Sequence, residues 1–169
     1  MTKLVVCNAG PLIHLDQLRC LDLLSDFPTL LVPDVVWNEV LKYRPHALPQ
    51  SFATLVPAPP VPDAKVTALC RAFSLDAGEA ACLAILAKRG SAIFLTDDAA
   101  ARLVAEEMDI EVHGTIGVLI RSVRRGKRTP PEILRLLDKL PSQSTLFIKN
   151  TLLSDIKRKL REEWRLGEG

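Results

Sequence analysis

The chain has 169 residues, enough for one domain with a sizeable core and too few for two ordinary ones. With 48% apolar and 25% charged residues it has the balance of a soluble globular protein, and its longest apolar run, Ala80–Ala87, is far short of a membrane span. The net charge of +2 decides nothing alone, but Lys and Arg concentrate in 121–128 and 157–165, while the acids of interest lie earlier.

Leu4-Val5-Val6-Cys7 reads as a buried first strand, followed by a turn at Asn8-Ala9-Gly10-Pro11 and by helical spacing at Leu12, Ile13, Leu15 and Leu18. A short helix over 21–27 stops before Pro28, Thr29-Leu30-Leu31-Val32 is a second strand, and Pro33 opens a helix with Val35, Val36, Val40 and Leu41 on one side. Six prolines between Pro45 and Pro62 predict extended connection with at most a short helix. A helix over 63–73 leads to Leu75-Asp76-Ala77-Gly78-Glu79, where Asp76 has the place of an N-cap and a helix over 80–88 follows. Ser91–Thr96 is the next strand, then come a helix over 98–108, a short strand over 110–113 and a helix over 115–125. Thr129-Pro130-Pro131-Glu132 marks another helix start, Phe147–Ile148 a short edge strand, and 150–166 a last basic helix. Strands alternating with helices predict an α/β fold with a parallel sheet covered on both faces.

Four cysteines (Cys7, Cys20, Cys70, Cys82) in apolar contexts without C-x-x-C spacing read as small buried hydrophobes of a reducing compartment. The start, Met1-Thr2-Lys3-Leu4, lacks the pattern of a secretory signal, so the expected place is the cytoplasm, away from membranes.

Leu95-Thr96-Asp97-Asp98 is the most telling stretch. An apolar strand ending in two acids delivers charge to the C-terminal edge of a sheet, where ligands bind in open α/β folds. Glu39, in a helix after another strand, and Glu79, opening a third helix, sit in comparable places, and Asn8 ends the first strand. Each has a plain alternative: Asp97 and Asp98 as helix caps, Glu79 as a partner of the helix dipole, Glu39 as a solvated charge, Asn8 as a turn residue. One cap needs only one carboxylate, however, and the pair points to a cation. Carboxylates sharing a cleft need cations, which predicts Mg²⁺ or Mn²⁺ and phosphodiester chemistry.

The motifs together resemble the PIN-domain-like family, the fold of VapC-type toxin ribonucleases, in the prokaryotic branch with Asn in the first motif. The resemblance runs through Val5-Val6-Cys7-Asn8-Ala9-Gly10-Pro11-Leu12-Ile13, Val32-Pro33-x-x-Val36-x-x-Glu39-Val40, Leu75-Asp76-Ala77-Gly78-Glu79-Ala80, Leu95-Thr96-Asp97-Asp98-x-x-x-Arg102 and Gly114-Thr115-Ile116-Gly117-Val118-Leu119. It implies one three-layer α/β/α domain over 1–169 and a site of Asn8, Glu39, Glu79 and Asp98, with Asp97 as an extra neighbour, holding Mg²⁺ or Mn²⁺ to hydrolyse RNA. It also implies a cognate antitoxin protein and a homodimer as partners. Arg102 is expected to pair with a site carboxylate or to touch substrate phosphate, and the Thr96 and Thr115 hydroxyls to orient site groups. Asn8, bringing no negative charge, opens the alternative of a catalytically degraded module that binds RNA or a protein. A phosphoacceptor receiver domain is excluded, because its acid pair after the first strand and its late Lys are missing.

Overall fold

The computed structural model describes residues 3–27, 29–48 and 54–166, so Met1, Thr2, Pro28, part of the proline-rich connection and the last three residues lie outside it. Among the described residues five strands form one sheet in the order β3-β2-β1-β4-β5, every pairing parallel. They are β1 (Leu4–Cys7), β2 (Thr29–Pro33), β3 (Thr54–Ala58), β4 (Ala92–Leu95) and β5 (Glu111–His113). Val6 pairs with Leu31 on one side and with Phe94 on the other, so β1 is the central strand. Parallel strands covered on both faces read as continuous apolar runs rather than alternations. Accordingly all of β4 is buried, as are Val5, Val6 and Cys7 of β1.

The helices are α1 (Ala9–Gln17), α2 (Asp34–Tyr43), α3 (Ala64–Ala72), α4 (Ala77–Leu86), α5 (Ala99–Glu107), α6 (Thr115–Arg124), α7 (Pro130–Gln143) and α8 (Asn150–Leu166), with 3₁₀ turns at Leu21–Asp26 and Pro45–Ala47. They cover the sheet as a three-layer α/β/α arrangement: α1 packs on α2 and α6, α4 on β1, β2 and β4. Leu12, Leu15, Leu83, Leu86, Phe94, Leu119 and Ile133 are among the fully buried side chains of the core, and the four cysteines are buried and free. Among the described residues no helix is long and apolar enough to cross a membrane.

Three local readings are corrected. The connection before Pro62 contains β3, an edge strand whose register runs through Pro57 opposite Val32; an outer edge tolerates the missing proline donor, which is why the proline signal hid it. Phe147 and Ile148 form no strand; they belong to the irregular 144–149 segment, anchored where the Thr145 amide and hydroxyl both donate to Gln17 Oε1. Asn8 is no turn residue before a later helix. It caps α1, which starts at Ala9 and carries Pro11 within its first turn.

Candidate functional site

The C-terminal edge of β1 and β4 gathers the polar residues. Asn8 is only 8% exposed; its Oδ1 accepts from the Ala9 amide at 2.9 Å and its Nδ2 donates to Thr96 Oγ1 at 3.4 Å. The fully buried Thr96 hydroxyl also accepts from the Asp98 amide at 3.2 Å, so one oxygen ties the end of β1 to the turn after β4. Asp98 then caps α5, its Oδ1 accepting from the Ala101 amide at 2.7 Å.

Glu79 approaches from α4. Asp76 and Glu79 close a capping box: Asp76 Oδ1 accepts from the Glu79 amide, and Glu79 Oε2 from the Asp76 amide. Gly78 lets this helix start come close, because a Cβ there would lie 3.2 Å from Val36 Cγ2 and 3.4 Å from both Asn8 Oδ1 and Asp76 Oδ1. Glu79 is only 8% exposed. Burial, foremost, lifts its carboxyl to about 7; the charges of Asp76 and Asp98 and a hydrogen bond with Asp98 push the same way, against the opposing Asp76 amide. Glu39, exposed on α2, is also raised, by desolvation first and by the Asp76 charge second. The acids thus form a chain of mutual influence, Glu39 to Asp76 to Glu79 to Asp98, with Asn8 against the Asp76 and Glu79 turn. Asp76 is the member that sequence reasoning treated only as a cap. Its cap role is real and masked its second neighbourhood.

Asp97 points the other way. Its Oδ1 accepts from the Thr115 amide at 2.6 Å, and its Oδ2 accepts from the Thr115 hydroxyl at 2.5 Å and faces His14 Nδ1 at 2.6 Å. The side chain is 11% exposed and joins β4, α1 and the first turn of α6. The inference that a second adjacent carboxylate gains only from a cation is therefore corrected: three protein donors satisfy it. Gly114 belongs to the same clamp, since a Cβ there would sit 2.7 Å from Asp97 Oδ1. Nothing in the local sequence marks His14, which reaches Asp97 only through the fold. Arg102, expected to pair with a site carboxylate, forms no ion pair among the described residues. Its guanidinium lies beside Gly114.

These residues can hold a hard cation in one way only. Among the described residues no three His, Cys, Asp or Glu side chains converge as a metal-ligand set. Glu79 and Asp98 each commit one named oxygen to a backbone amide and also hydrogen-bond to each other, a contact a cation would replace, with the Asn8 amide nearby. Two hard carboxylates suit Mg²⁺ or Mn²⁺ that keeps most of its water, and do not suit a fully protein-caged ion. Much of the basic character is consumed internally: Arg121, Arg125 and Lys127 surround Asp26, Arg128 grips Asp22 at 2.8 Å, and Lys157 meets Asp138 at 2.8 Å. The Arg121 guanidinium also stacks 5.0 Å from the Phe27 ring centre.

A parallel central sheet with helices on both faces is the three-layer α/β/α layout the sequence motifs implied. No curated protein and no solved structure gives a significant match to the chain. The family model described as DUF3368, a PIN domain, matches residues 4–162, which spans every strand and all eight helices but the last turn of α8. On that match, and with this sheet beneath it, the chain belongs to the PIN domain family.

Proposed function

We propose that this PIN domain is a metal-dependent endoribonuclease, the toxin component of a toxin–antitoxin pair. The observation that supports it best is Glu79, a buried carboxyl lifted to about 7 beside Asp98 and Asp76. A fold that tolerates this with no cationic side chain paired to Glu79 among the described residues gains when a cation enters. Glu79 and Asp98 would hold Mg²⁺ or Mn²⁺ with the Asn8 amide oxygen alongside. Held there, the cation would lower the pKa of an attacking water and would neutralise charge developing on the phosphate. The protein's own share is placement: Thr96 fixes the Asn8 side chain and the Asp98 amide, and the capping box fixes Glu79. Asp97 acts through Thr115 and His14 rather than on the cation.

Asn8 favours a second reading, a degraded module that binds RNA without cutting it, because an amide contributes no charge to a site with few ligands. One experiment separates the two. End-labelled single-stranded RNA is incubated with the protein in Mn²⁺, Mg²⁺ or EDTA. The nuclease reading expects cleavage in metal only, lost in Glu79→Gln and Asp98→Asn. Cleavage that survives EDTA or Asp98→Asn would overturn it, and retention of RNA without cleavage would establish the second reading.

A further inference from the structure

Beside the acid chain lies a cavity of about 360 Å³ that the proposed cleavage does not use. Its lining joins polar Arg102, Asp97 and His113 to apolar Val112, Ile116, Ile148 and Ile156. Phe147 forms part of the lining and is 86% exposed, an unusual exposure for a phenyl ring inside an ordered segment. Arg102 begins the first full turn after Asp98, its amide donating to the Asp98 carbonyl at 3.1 Å. Gly114 leaves the guanidinium room: a Cβ there would lie 3.4 Å from Arg102 Nη2. Asp97 already has three donors, and among the described residues Arg102 forms no ion pair.

We propose that this cavity is a nucleotide subsite, resting on the ribonuclease reading above: it takes one nucleotide of single-stranded RNA next to the bond to be cut. The phosphate meets the Arg102 guanidinium, and the base lies on Phe147 against the isoleucines of the lining. A volume at the low end of ligand pockets admits one nucleotide and no duplex. A cation with no ion pair among the described residues, in one lining with an exposed aromatic ring, is the combination by which proteins hold single strands, charge for the backbone and a ring for the base. The acids a turn away would repel a bare anion in the absence of metal, so the apolar lining carries much of the affinity.

The test titrates the full chain with adenosine 5′-monophosphate in EDTA, following backbone amide shifts by NMR, with inorganic phosphate and adenosine as parallel probes. The nucleotide should move the amides of Gly114, Gly117 and Ile148 and bind more tightly than either fragment. Phe147→Ala should weaken it about tenfold, and Arg102→Gln should reduce it to the level of adenosine. Phe147 is exposed, so its loss leaves the fold and the Mn²⁺-induced rise in Tm intact. Shifts elsewhere, no shifts at 10 mM ligand (roughly the weakest binding worth calling a site), or unchanged affinity in Phe147→Ala would overturn the subsite. EDTA separates the two readings. Nucleotide binding without any metal-dependent cleavage removes the nuclease and keeps the subsite, whereas cleavage with an unchanged KM in Phe147→Ala does the reverse.

Discussion

Replacing Glu79 by Gln removes a charge and little else, because Gln at the third helical position closes a capping box as Glu does. The wild-type carboxyl is raised from 4.5 to about 7 in the folded protein, by burial first and then by Asp76 and Asp98. A raised acid holds its proton more tightly folded than unfolded. Its linked stability is therefore present at low pH and drains away as pH rises from about 4.5 through about 7. At about 1.4 kcal/mol per pKa unit the ceiling is about 3 kcal/mol. Solvent screening at the mouth of the site, where Asp76 and Glu39 are exposed, brings this to about 1–2 kcal/mol. In a chain of this size each kcal/mol moves Tm by about 2–4 °C. In EDTA at pH 8 the Gln variant should thus melt about 2–8 °C above wild type, and near pH 4.5 the two curves should merge. Circular-dichroism melts across that range measure the gap. A gap that ignores pH, or a Gln variant less stable at pH 8, would refute the account of Glu79 as a strained acid.

Asp98→Asn keeps the cap of α5, since Asn caps as well as Asp. It should raise apo Tm by relieving Glu79 and shrink the rise that millimolar Mn²⁺ gives; an unchanged apo Tm with an unchanged Mn²⁺ rise would mean that Asp98 is only a cap. Asp97→Asn removes the charge and turns one of the two accepting oxygens into a donor facing other donors, which should cost about 2–3 kcal/mol, leaving the Mn²⁺ rise unchanged in size. Gly114→Ala, which drives a Cβ into Asp97 Oδ1, should produce the same pattern, and loss of the Mn²⁺ rise in either variant would return Asp97 to the metal site. Asn8→Asp should tighten Mn²⁺ binding measured by calorimetry and lower apo stability through one more like charge. Equal dissociation constants would remove Asn8 from the site.

What the sequence showed of the fold rested on local signals that tertiary structure does not override. Apolar runs gave β1, β2 and β4, and Asp76 and Thr129 marked helix starts that the structure realises as full capping boxes. β3 was lost because its Pro57 is legal only at a sheet edge, and edge position is a property of topology. Sequence could nominate the candidate site residues but not their directions. Adjacent acids leaving one strand end diverge: Asp98 turns toward Glu79, and Asp97 toward α1 and α6. Only the partners supplied from distant segments, His14 and Thr115, reveal which is which.

The order of the strands also dictates how the chain must be made. Val5 pairs with Leu30 on one side and with Ile93 on the other. During synthesis the first strand can therefore zip to β2, and β2 to β3, while its opposite edge waits for a partner encoded far downstream. At about 5–20 residues per second that wait lasts several seconds. Throughout it, Leu4-Val5-Val6-Cys7 offers an open, wholly apolar edge of the kind that recruits neighbouring chains. Long-range parallel pairing is slow to close in any case. Arrival of Ala92–Leu95 closes that edge, and the turn that follows this strand carries Asp97 and Asp98.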